Sequence, residues 1–122
     1  MPTPREIIDA LRQWGLTLPG AHLKAPWPDH SDLAVNDRTF AYLTTGGDFR
    51  MSVKLRYTGE VALDLPFARP TGYGLGKSGW VTFECDAAAI PDPAQLREWV
   101  EESYRAQAPK KLVKELDARD FG

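Results

Sequence analysis

One cysteine and two histidines are all the thiol and imidazole chemistry in this chain of 122 residues. Cys85 alone closes no internal disulfide, and His22 with His30 cannot supply the paired His/Cys ligands of a structural zinc site. There is no Ser-His-Asp order and no carboxylate pair at a diagnostic spacing, so the expectation is a protein that is not an enzyme and needs no cofactor. A nucleophilic Cys85 would require a base close in space; in its β-rich surroundings it reads instead as a small buried hydrophobe. Also missing is any apolar run near the roughly 18 residues that suggest a membrane span, and the charged N-terminus has no signal-like apolar segment. A soluble, cytoplasmic protein without membrane contact is expected. Nor is there an excess of one charge. Lys and Arg number 15 against 17 Asp and Glu, a net charge of −2, which argues against a strong nonspecific polyanion binder.

What is present suffices for one core. With 43% hydrophobic and 26% charged residues, a chain of this length reads as a single domain, residues 1–122, that buries about two-thirds of its unfolded surface. No repeat, low-complexity tract or linker divides it. Charge, though balanced, is unevenly placed. Residues 50–82 hold Arg50, Lys54, Arg56, Arg69 and Lys77 against Glu60 and Asp64, whereas residues 84–102 hold six acids against Arg97. The sign then reverses again through Arg105, Lys110, Lys111 and Lys114. Such runs are commonly solvated faces that keep a domain in solution; alternatively the strands, the glycine loop and the C-terminal helix combine into one basic face.

The glycine-rich stretch Thr71-Gly-Tyr-Gly-Leu-Gly-Lys-Ser-Gly-Trp80 imitates two phosphate-binding motifs and satisfies neither. A P-loop ending at Gly76-Lys77-Ser78 would need glycine where Thr71 stands. The dinucleotide pattern in Gly74-Leu-Gly-Lys-Ser-Gly79 works between a strand and a helix, but here the alternating, β-rich Trp80–Cys85 follows. A plain glycine loop feeding a strand is expected.

Thr3-Pro4-Arg5-Glu6 combines an N-cap hydroxyl, a first-turn proline and a capping-box glutamate, so a helix should begin at residue 4. Ile7, Ile8, Leu11 and Trp14 form its apolar stripe, and Gly15 is expected to supply a left-handed stop. Leu18–Pro28, with three prolines, reads as a loop over the core, with Trp27 as a packed lid or, less in keeping with its setting, a ligand platform. Leu33–Val35 and Thr39–Leu43 flank the turn-forming Asn36-Asp-Arg38 as a hairpin. Gly46-Gly-Asp48 is a second turn, and from Phe49 to Arg56 apolar and basic residues alternate. Thr58 should cap a short helix that Pro66 ends. Asp92-Pro93 repeats the cap-plus-proline signature ahead of a stripe of Leu96, Trp99, Val100 and Tyr104, and Pro109 separates it from a last helix over Lys110 to Leu116. The order fits an α+β fold of two layers, an antiparallel sheet covered on one face by helices.

These residues together resemble the MmcQ/YjbR family. The resemblance runs over nearly the whole chain: the N-terminal helix, Leu18-Pro-Gly-Ala21 and Trp27, Phe40-Ala-Tyr-Leu43, Met51–Leu55, the Pro70/Gly72-Tyr73 loop reaching Lys77 and Trp80-Val81, and Glu102-Ser-Tyr104 with Lys110-Lys-Leu112. Leu65-Pro-Phe-Ala-Arg-Pro70 looks like the mark of a distinct subgroup. The resemblance implies a CyaY-like or secretion-chaperone-like fold and a predicted DNA-binding role. Carried onto this chain, it implies phosphate contacts from Lys54, Arg56, Arg69, Lys77, Lys110, Lys111 and Lys114, with Tyr73 or Trp80 stacking on exposed bases or else filling space beside the glycines. The alternative it leaves open is a non-catalytic protein-interaction or chaperone-like domain with a protein partner or a second copy. The CyaY-like comparison also raises iron binding by Asp92, Glu98, Glu101 and Glu102, but carboxylates spread along an exposed helix hold divalent ions only loosely, so no metal is assigned.

Overall fold

The computed structural model describes residues 2–25, 31–45 and 48–121. Trp27 and the Gly46-Gly47 turn therefore lie outside the described residues, as does His30. Helix α1 (Pro4–Gly15) opens as its cap chemistry dictates: the Thr3 hydroxyl accepts from the Glu6 amide, and the Glu6 carboxylate accepts from the Thr3 amide. Its end differs from the expectation. Leu16 closes it in right-handed conformation, and Gly15 is required for space, because a Cβ there would collide with the Leu33 side chain.

Six strands form one antiparallel sheet in the order β1-β2-β3-β4-β6-β5. Two were not expected. β1 (Ala21–Lys24) lies inside the proline-rich stretch read as loop, and β5 (Ala68–Pro70) is a three-residue outer strand on β6. Between β2 (Asp32–Val35) and β3 (Arg38–Leu43) the turn needs only Asn36 and Asp37, both left-handed with φ of 51° and 63°. Asn and Asp tolerate that region, and such a two-residue turn matches the twist of the strands. Pairing then skips Phe40, since Leu33 faces Ala41 while Ala34 faces Thr39. β4 (Phe49–Lys54) and β6 (Trp80–Cys85) pair along their whole lengths.

Alternation along β4 and β6 sends Phe49, Met51, Val53, Val81 and Phe83 into the core, where they meet Ile8 and Leu11 of α1 and Leu96, Trp99 and Val100 of α3 (Pro93–Gln107). Phe83 and Trp99 stack with ring centroids 4.2 Å apart. The expected layering therefore holds. On the opposite face a hydroxyl chain crosses the sheet, Ser52 to Thr82 at 2.8 Å and Thr82 to Thr71 at 2.9 Å. Arg12, which an amphipathic pattern would leave in water, is buried and donates to the carbonyls of Ser31 and Thr44 while pairing with Asp9. Helix α2 (Gly59–Ala62) stops before Pro66 is reached, and α4 (Lys110–Phe121) runs beyond Leu116. No helix among the described residues is long and apolar enough to cross a membrane.

Candidate nucleic-acid interface

Antiparallel pairing puts the start of β3, the end of β4 and the start of β6 at the same end of the sheet. Arg38 opens β3 directly after the Asn36-Asp37 turn, and Lys54 closes β4 in register with Trp80. Arg56 follows two residues on, and the loop that delivers β6 adds Lys77 from a short 3₁₀ turn, Leu75–Ser78. Four cations thus share one rim. Partial burial, then the positive charges of Arg56 and Arg38, hold the Lys54 ammonium below the ordinary lysine range. Among the described residues, no carboxylate lies within salt-bridge distance of Arg38, Lys54, Arg56 or Lys77. Like charges gathered without counter-charge are a site poised for an anion.

The rim is shaped as well as charged. An open groove of about 570 Å³ runs between the Leu55–Gly59 segment and the Gly76–Val81 segment. A second, of about 390 Å³, lies on the far side of Arg56 and Tyr57 and carries Glu98, Glu101 and Glu102. Arg56 and Tyr57 line both, dividing a basic groove, with Arg56 and Lys77 against Glu60, from a more acidic one, with Glu98, Glu101 and Glu102 against Arg56 and Arg105. The backbone at Tyr57 and Thr58 is pinned from α3: the Glu102 carboxylate accepts from the amides of Tyr57 at 3.0 Å and Thr58 at 3.2 Å, and from the Thr58 hydroxyl at 2.8 Å. Thr58 thus caps α2 with no side-chain bond of its own, contrary to expectation, because its hydroxyl is turned to Glu102. The glycine loop is held by its own turns. Tyr73 and Gly74 are both left-handed, and Gly76 passes so close to Pro70 that a Cβ would come within 2.8 Å of the Pro70 Cβ.

A family model described as YjbR matches residues 16–106. The chain belongs to the YjbR family. No curated protein matches it at a significant level. The matched span contains the whole sheet and α3 but for its last residue, so Arg38, Lys54, Arg56 and Lys77 fall inside it, while α1 lies before it and α4 beyond it. The short YjbR-like motifs meet one another in space. In Glu102-Ser-Tyr104, Glu102 holds the Thr58 turn, while the Ser103 hydroxyl donates to the Phe40 carbonyl at 2.5 Å and accepts from the Lys54 amide at 2.8 Å. The Tyr104 hydroxyl donates to the Pro19 carbonyl at 2.6 Å. Two successive residues of one helix, Ser103 and Tyr104, thereby tie down three of the other motifs, and the preceding Glu102 ties down the Thr58 turn.

The expected contact residues divide accordingly. Lys54, Arg56 and Lys77 are brought together, and Arg38 joins them. Arg69 sits within the sheet face and is paired to Glu84, which also reaches Arg50. Trp80 is 5% exposed with its ring packed on Tyr42 at 5.2 Å, so it offers no face to a base. Tyr73 is fully exposed on the glycine loop. Lys111 lies beside His22, Asn36 and Pro109 at the β1–β2 end of the same rim, and Lys110 and Lys114 are exposed on α4. Sequence reasoning missed Arg38, whose position depends on the two-residue turn, and Tyr57, which carries no motif. Among the described residues no three His, Cys, Asp or Glu side chains gather as a metal site.

Proposed function

We propose that this YjbR-family chain is a non-enzymatic, cytoplasmic nucleic-acid-binding module whose weak, salt-sensitive contacts come from Arg38, Lys54, Arg56 and Lys77, extended along the rim by Lys110, Lys111 and Lys114. The observation that carries the reading is the placement of Lys54 and Arg56 at the end of β4 beside Arg38 and Lys77, with no carboxylate within salt-bridge distance of any of the four among the described residues. A phosphate backbone supplies the missing counter-charge, and release of its condensed ions drives association. The test is fluorescence anisotropy of labelled DNA at two salt concentrations. Arg56→Glu with Lys77→Glu is expected to abolish binding at moderate salt, and the wild type to show log K falling with log salt at a slope of about −2 to −3.5 for three or four phosphate contacts from the central cations, steeper where the α4 lysines join. Undiminished affinity in the double variant removes the interface.

A second reading is a protein-interaction or chaperone-like domain, in keeping with the secretion-chaperone-like comparison. It is favoured by Val61, 73% exposed, and Leu63, both projecting from the α2 region beside the basic groove. It predicts a homodimer or a co-purifying partner lost on Val61→Asp; a strictly monomeric protein without a partner counts against it.

A further inference from the structure

Tyr57 is 88% exposed, yet it is not on a loose loop. Its amide is fixed by Glu102, and the following Thr58 is fixed twice by the same carboxylate. The ring therefore stands on a backbone set before any ligand arrives. It also stands on the wall shared by the two grooves, next to Arg56, with Lys77 across the basic one. Tyr73, on the loop that carries Lys77, is the other solvent-facing ring among the described residues and is held at a φ of 59° that a bulky residue seldom adopts. Two bare aromatic faces beside unpaired cations are chemistry for a ligand with exposed π-faces and a phosphate backbone.

We infer that the nucleic acid bound at this rim is single-stranded, with Tyr57 as the stacking platform for an unpaired base and Arg56 and Lys77 on the adjoining phosphates. The inference rests on the reading of the rim as a phosphate-binding surface. A duplex hides its base faces and is read by an element that enters a groove. Here the cations stand on strand ends and a loop, and α3, the helix beneath them, is committed to the core. The lining beyond Tyr57 is net negative even with Arg105, and that beside Lys77 is net positive even with Glu60, so the phosphate backbone is favoured on the Lys77 side with its bases turned toward the ring. From β2 to β6 the rim crosses three strand spacings of about 4.8 Å, a reach of roughly 15 Å, enough for a few nucleotides.

The experiment uses the full chain and a single-stranded oligonucleotide of about 12 residues carrying 2-aminopurine, with the matching duplex as competitor. Expected is single-strand affinity at least about tenfold above that of the duplex, with quenching of the 2-aminopurine fluorescence on binding. Tyr57→Leu is expected to lose about tenfold in single-strand affinity together with the quenching, while duplex affinity and thermal midpoint stay as in the wild type. Tyr57→Phe, which keeps the ring, retains both. Equal affinity for the two forms, or full quenching in Tyr57→Leu, overturns the single-strand assignment and leaves the phosphate-binding rim standing. A wild type that binds neither form overturns both.

Discussion

Lys54 is a side chain whose charge works against the interest of the fold. Its folded-state pKa lies below that of the unfolded chain. Between the two values the unfolded chain holds more of the proton, so stability rises with pH across that alkaline window; below it the full charge weakens the fold. Lys54→Met keeps the aliphatic stem and removes the charge. At neutral pH it is expected to raise stability by up to about 0.5 kcal/mol, a size set by solvent screening of a partly exposed group, and to lose the alkaline gain. Nucleic-acid affinity should fall in the same variant. Urea unfolding at neutral and alkaline pH, beside anisotropy, reads both; a loss of stability at neutral pH would show that the charge is compensated in a way the geometry does not reveal. Lys54, Arg56 and Lys77 were legible as candidates because charge is written in the sequence. Arg38 was not singled out, since its neighbourhood with Lys54 exists only once a two-residue turn sets the register of β3.

At the scale of elements, α1 and α3 were readable because their start signals are local. Thr3, Pro4 and Glu6 act within one turn, as do Asp92 and Pro93, whose carboxylate accepts from the Ala94 amide. The readings that failed depended on partners far along the chain. Gly15 looked like a left-handed stop, yet the reason for it is the Leu33 side chain opposite. β1 and β5 carry little alternation of their own and become strands because β2 and β6 offer ladders to join. α2 is the sharpest case: a four-residue helix without a side-chain cap, whose entry turn is held at Thr58 by a carboxylate 44 positions away. Glu102→Ala leaves the Tyr57 and Thr58 amides without that acceptor, and the expected loss is about 1 kcal/mol, as for removal of an N-cap. Hydrogen exchange at the Thr58 amide should accelerate with it, and single-strand affinity should drop because the Tyr57 ring loses its fixed seat. Unchanged exchange at Thr58 would mean that the turn is held by its own bonds.

For the whole molecule, the proposed polyanion binding is compatible with a net charge of −2 only through an uneven placement of the charges. Three acids face Arg56 and Arg105 in the groove beyond Tyr57, and cations follow the rim from Lys111 beside Asn36, through Arg38 and Lys54, to Lys77, interrupted by Glu115 and Glu60. If the rim acts as one surface, Lys110→Glu, Lys111→Glu and Lys114→Glu together abolish binding at moderate salt, although α4 lies outside the YjbR-matched span. The anisotropy titration decides it: undiminished affinity would confine the interface to the segment between Arg38 and Lys77.

The outermost strand also governs what else the sheet can join. β5 is three residues long and ends in Pro70, which has no amide hydrogen to offer a further strand. A neighbouring copy approaching that border finds a short ladder with a missing rung, so growth of the sheet from molecule to molecule is discouraged on this flank. A border that refuses company leaves the adjoining glycine loop, Tyr73 with it, open to a ligand of another kind.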